Sequence, residues 1–209
     1  MPNQKKTVKV LVASPGDVKE ERGMTEDVIK KWNAHPQRPL ILEAVLWELS
    51  GAPETGERVQ GILNKQIVDD CDFAIGIFWT RIGTNTGIAP GGAVEEVERL
   101  IKSGKQVMLY FSNVAFRERD VDRKQILQLK KFKKSIQKKA LIEEYDERHE
   151  FKEKLTHQLD VQVYRWFCST ESPMLEVTLR TDSAFRLYEK IIKEDLALSV
   201  CWACQVLRV

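Results

Sequence analysis

Short apolar runs rich in β-branched residues alternate with amphipathic stretches along the first 150 residues. "VKVLVA" (8–13), "PLILEAVLW" (39–47), "FAIGIFW" (73–79) and "KQVMLYF" (105–111) read as strands, with "ALIEEY" (140–145) a short fifth. Near-continuous apolar character suits strands buried on both faces of a parallel sheet. Helix-period patterns between and after them predict helices over 17–32, 57–69, 92–103, 121–139 and 147–167. The first opens on "SPGDVKEER", where Asp17 and Glu20 form an Asp-x-x-Glu capping signature. Helix-length crossovers between successive strands predict a parallel sheet covered on both faces. The expected fold is α/β: a flavodoxin-like three-layer sandwich with a parallel five-stranded sheet, order 2-1-3-4-5. Residues 1–167 should form this domain. From 168 to 209 the pattern breaks into a linker-like stretch, one strand-like piece and an expected C-terminal helical extension over 183–209, with no role assigned.

Ligands in such sheets bind beyond the C-terminal strand ends, where the strand order reverses. Loops 14–17, 47–57 and 79–92 should therefore converge on one crevice. The third of them contains the thirteen residues "TRIGTNTGIAPGG" (80–92), well over the ~2–6 usual for such a connection. Long ordered loops of that kind more often carry function. Trp79 and Arg81 could stack on a base and meet a phosphate or carboxylate, or simply cap a strand end at the surface. Ser14, Gly16 and Asp17 sit where helix-terminal N–H groups suit an anion, with Asp17 also readable as a plain N-cap. Trp47, Glu48 and Gln60 should lie near the same crevice, Trp47 reading more readily as core.

In the helix at 92–103, Ala93, Val94, Val97, Leu100 and Ile101 share the apolar arc. Glu95 is expected nearly opposite it, towards solvent, with Glu96 and Glu98 on the two flanks. Glu96 lies in the first turn beside the long loop. The helix dipole favours acid there whatever its function, so position alone does not settle its role.

Composition narrows the rest. Charged residues make up 31% and hydrophobic ones 43%, with a net charge of +2, as in ordinary globular proteins. No apolar leader precedes the first strand, and "LALSVCWACQVL" is shorter than the ~20 residues a membrane span needs. The expected location is cytoplasmic, with no membrane partner. The basic run "RKQILQLKKFKKSIQKK" aligns Ile126, Leu129, Phe132 and Ile136 on one face, so its lysines read as a solvated face rather than a nucleic-acid surface. His149 and His157 lack metal-ligand spacing, and Cys201 with Cys204 makes one lone CxxC, so no metal site is expected. There is no GxxxxGK[ST], GxGxxG or HExxH motif, no flavin-type phosphate loop, and no receiver aspartate at the end of strand three.

"DDCDFAIGIFWTRIGTNTG…GGAVEEVERLIKSGKQVMLYF" resembles the core of the TIR-like and nucleoside 2-deoxyribosyltransferase-like superfamily, and "VKVLVASPGDVKEER" resembles the opening of bacterial TIR-like proteins. The family's Gly-Thr-x-x-Glu falls on Gly92, Ala93, Val94, Glu95 and Glu96, followed at the family's spacing by Gly104-Lys105. Ala93 stands where the family has Thr, and Gln106 where it has Pro. The resemblance implies a catalytic glutamate, Glu96 with Glu95 beside it, acting at the anomeric carbon of a ribosyl or deoxyribosyl group. It implies a nucleotide or nucleoside as partner, NAD being a candidate substrate rather than a cofactor. Bacterial antiphage or stress defence, with homo-oligomers or a defence-system partner, is the setting it suggests. A non-catalytic TIR-like module binding a nucleotide signal or a protein remains the alternative.

Overall fold

A computed structural model describes residues 5–36, 38, 40–46 and 59–170. It contains one five-stranded sheet in the order β2-β1-β3-β4-β5, with every neighbouring pair parallel. The strands are β1 (Lys6–Ala13), β2 (Leu40–Val45), β3 (Phe73–Phe78), β4 (Gln106–Ser112) and β5 (Ile142–Tyr145). The helices are α1 (Lys19–Ala34), α2 (Val59–Leu63), α3 (Gly92–Lys102), α4 (Arg123–Ile136) and α5 (Arg148–Thr170). A π-helical segment, Asn64–Val68, continues α2. This is the flavodoxin-like arrangement that the alternation of runs predicts. Residues to Thr156 form one compact unit, and a second begins at His157, within α5. The expected extension beyond residue 170 lies outside the described residues.

The central strand β3 is buried at all six positions, which its uninterrupted apolar sequence requires. Gly76 in its middle admits close packing: a Cβ there would stand 2.8 Å from Leu109 Cδ2 and 3.3 Å from Val97 Cγ2. On one face of the sheet, Val97 and Leu100 of α3 and Leu129 and Phe132 of α4 join Leu11, Ala74, Phe78 and Phe111 in a single core. On the other, Phe151 of α5 meets Tyr110 and Tyr145 at centroid distances of 5.2 and 5.0 Å. Leu129, Phe132 and Ile136 are buried, as the amphipathic reading of the basic helix requires.

Strand order reverses between β1 and β3, which pair through Val10–Ala13 and Phe73–Gly76. Ahead of β3 they are tied again, Lys9 N–H donating to Asp72 Oδ2 at 2.7 Å and Asp72 N–H to Lys9 O at 2.8 Å. The chain leaves both strands on the same side of the sheet, and their loops flank the point of reversal.

Candidate functional site

A cleft of about 480 Å³ opens at that reversal, within the size range of small-molecule sites. Ser14, Pro15 and Gly16 after β1 form one wall, and Gly83 to Thr86 of the long loop form another. Gln60 and Leu63 of α2 close a third side, and Gly92, Ala93 and Glu96 of α3 complete the lining. Glu96 is the carboxylate in that lining, only 5% exposed. Its Oε1 accepts a hydrogen bond from Gln60 Nε2 at 3.1 Å.

The loop that carries Gly83 to Thr86 is folded back on the start of α3. Gly92 N–H donates to Thr84 O at 3.1 Å, and Ile82 N–H to Gln125 Oε1 of α4 at 3.0 Å. Two glycines supply left-handed backbone, Gly83 at φ +98° and Gly87 at φ +85°, which other residues adopt only with strain. Gly91 serves differently. Its φ of −164° suits any residue, but an added Cβ would lie 1.9 Å from Ile82 O.

Glu95 does not face solvent. It is 8% exposed, its Oε1 accepting from Asn64 Nδ2 at 2.7 Å and its Oε2 from Thr86 Oγ1 at 2.5 Å. The helical wheel fails here because the π-helical segment and the long loop cover the side of α3 that lies away from the sheet. Glu98 takes the exposed position instead.

Asp17 does not cap α1. The N-cap is Val18, which makes no side-chain bond, while Asp17 Oδ2 accepts from Thr80 N–H at 2.9 Å and Thr80 Oγ1 at 2.8 Å. The carboxylate therefore clips the β1 loop to the end of β3. Two donors spanning 63 positions of sequence outcompete one local cap. Asp17 Oδ1 is buried without a partner among the described residues, as is Ser14 Oγ, and Ser14 lines the cleft. Gly16 lines it too, with open space around its Cα.

Trp79 and Arg81 are not in the lining. Trp79 Nε1 donates to Val114 O at 2.8 Å, its ring meets Phe116 edge-on, and Arg148 lies over it at 5.8 Å. The ring is half-buried, and these contacts hold it away from the lining of the cleft. Arg81 is exposed. Trp47 and Glu48 lie outside the described residues.

Sequence reasoning missed Asn64 and Thr86. A signal for Asn64 exists in "VQGILNKQIV": it breaks an apolar stripe of Leu63, Ile67 and Val68 while standing one turn after Gln60. Below this network, Arg99 Nε and NH2 each reach an Asp69 carboxylate oxygen at 2.6 Å, joining α3 to the end of the π-helical segment. The guanidinium beside it holds the Asp69 carboxyl below its ordinary value. Lys105 Nζ adds bonds to Asp69 O at 2.6 Å and Cys71 O at 2.7 Å.

Among the described residues there is no helix long and apolar enough to cross a membrane, and no cluster of His, Cys, Asp or Glu that could hold a metal. Residues 9–160 match the family model described as Domain of unknown function (DUF4062), and the chain belongs to that family. No curated protein matches it.

Proposed function

We propose that this DUF4062 domain cleaves, or transfers across, an N-glycosidic bond of a nucleoside or of NAD, with Glu96 as the catalytic carboxylate. One observation carries the reading. The glutamate singled out by the family resemblance is the carboxylate lining the cleft at the reversal of strand order. When the glycosidic C–N bond breaks, its electron pair leaves with the base and positive charge develops on the anomeric carbon and ring oxygen. A carboxylate fixed beside that carbon stabilises the charge, or adds to the carbon and holds the sugar covalently. In hydrolysis, water then supplies hydroxyl to the carbon; its proton goes to the base that leaves a nucleoside, or to solvent when neutral nicotinamide leaves NAD, and in transfer a second base takes the place of water. The largely enclosed setting of Glu96 strengthens such electrostatics over those in bulk water. A bacterial defence or stress effector, acting on NAD or a nucleoside, is the setting that the resemblance suggests.

Free base released from NAD and from 2′-deoxyadenosine, followed by chromatography for wild type and Glu96→Gln, tests the proposal. The assay is run with dilute protein and again at the highest attainable concentration. Release by wild type that falls at least a hundredfold in the variant supports it; no release, or equal release, refutes it. One observation favours a second reading, a non-catalytic module that binds a nucleotide or a protein. Ala93 lines the cleft where the TIR-like superfamily that the sequence resembles carries a threonine hydroxyl. Binding of the same two compounds without base release would support that reading.

A further inference from the structure

The helix that faces the two glutamates changes pitch where it meets them. Val59–Leu63 is α-helical and Asn64–Val68 is π-helical. A π turn gives up hydrogen-bond geometry to re-aim side chains, and such turns recur at functional sites. Here the turn begins at Asn64, which is wholly buried at 0% exposure. A buried primary amide needs partners for both its ends. Asn64 Nδ2 donates to Glu95 Oε1 at 2.7 Å, and its Oδ1 accepts from Gln60 Nε2 at 3.3 Å. The same Gln60 nitrogen donates to Glu96 Oε1 at 3.1 Å. The other end of the Gln60 amide lies against Gly92, where an added Cβ would come within 2.8 Å of Gln60 Oε1. Glu95 accepts from Thr86 Oγ1 at 2.5 Å. A continuous chain thus runs from Thr86 in the long loop through Glu95, Asn64 and Gln60 to Glu96.

We infer that Gln60 and Asn64 are positioning residues for the Glu96 carboxylate, and that Glu95 anchors them to the long loop rather than reacting itself. The inference rests on the glycosidic reading of Glu96 for its kinetic consequence, and on the hydrogen bonds alone for its geometry. A glutamate side chain rotates about three bonds, and the bond from Gln60 Nε2 to Oε1 restrains that rotation only as far as the Gln60 amide is itself held. Asn64 holds the amide from one side and Gly92 admits it from the other. Displacing a reacting group by about 1 Å costs on the order of a hundredfold in rate. Contacts to bound substrate need not change at the same time.

The test is Gln60→Met, which keeps the length of the side chain and removes its donor. With NAD and 2′-deoxyadenosine as probes, kcat should fall roughly tenfold to a hundredfold with KM within about twofold of wild type. A raised KM at unchanged kcat makes Gln60 a substrate contact and overturns the assignment; unchanged kcat and KM overturn it as well. Crystal structures of wild type and Gln60→Met form the second arm. They should show one Glu96 carboxylate position in wild type and a displaced or split one in the variant. An undisturbed Glu96 overturns the inference. If wild type releases base from neither probe, the proposed activity falls, and the pair of crystal structures alone decides the positioning role. Should Gln60→Met not fold, Thr86→Val removes the donor at the far end of the chain and should disturb Glu96 in the same way. An unmoved Glu96 in that variant is equally decisive against the inference.

Discussion

Gly91→Ala should unfold the wall of the cleft through a single methyl group. The added Cβ would lie 1.9 Å from Ile82 O and 2.6 Å from Ile82 C, both backbone atoms. No side chain can rotate away, so the two arms of the loop must separate by roughly 1.5 Å to restore ordinary contact. That opening loosens the Gly92 N–H bond to Thr84 O and the Ile82 N–H bond to Gln125, now 3.1 and 3.0 Å. Each contributes about 1 kcal/mol, and the overpacking itself costs about 1–3 kcal/mol. A loss of about 3–5 kcal/mol follows. For a chain of this size each kcal/mol lowers Tm by about 2–4 °C, so the melt should fall by roughly 6–20 °C. Thermal unfolding by circular dichroism measures it, with Gly16→Ala as control because a Cβ there meets nothing within 4 Å. A Gly91→Ala protein melting within about 2 °C of wild type would refute the loop geometry.

Three other perturbations test separate parts of the structure. Arg148→Met strips the Nε donor, at 3.2 Å, from Glu21, which is 1% exposed, and should cost about 3 kcal/mol. Adding Glu21→Gln should recover much of that loss, and strict additivity in a urea double-mutant cycle would argue against the pair. Burial pushes the Cys71 thiol up to about 12, so alkylation at pH 8 should be slower by orders of magnitude in native protein than in urea. Site-resolved mass spectrometry reads this, and rapid native labelling would contradict the buried position. For Asp69, the folded value lies below its ordinary 3.8, so its stabilising contribution is present above that value and is lost as pH falls through the folded one. Because Arg99 and Asp69 are 40% and 45% exposed, Arg99→Met should cost less than about 1 kcal/mol at pH 7. The difference from wild type should disappear on acid titration below pH 3.8. A difference that persisted there would point to packing by the arginine stem instead.

The sheet was legible because its determinants are local. Each strand is a self-contained apolar run, and each crossover is long enough to hold a helix, so the order of elements limits the topology. Glu96 was legible for a related reason, lying on the flank of the apolar arc and in the turn beside the long loop. Glu95 was not. A helical wheel assumes one covered face, whereas α3 is covered on a second side by Asn64, 31 positions earlier, and by Thr86. Asp17 misled because its capping signature is local while its partner Thr80 is not. Trp79 likewise finds a partner distant in sequence, its indole N–H donating to Val114 O beyond the end of β4. In each case the local pattern was sound, and a partner distant in sequence offered a stronger bond.

Of the two adjacent buried glutamates, Glu96 is proposed to do chemistry and Glu95 to hold structure. Glu96→Gln and Glu95→Gln, compared side by side for base release and for melting temperature, test this division most directly. Glu96→Gln should melt near wild type and lose at least a hundredfold in base release. Glu95→Gln, in contrast, should melt several degrees lower while retaining more base release than Glu96→Gln. Full base release by Glu96→Gln, with the larger loss in Glu95→Gln, would contradict it.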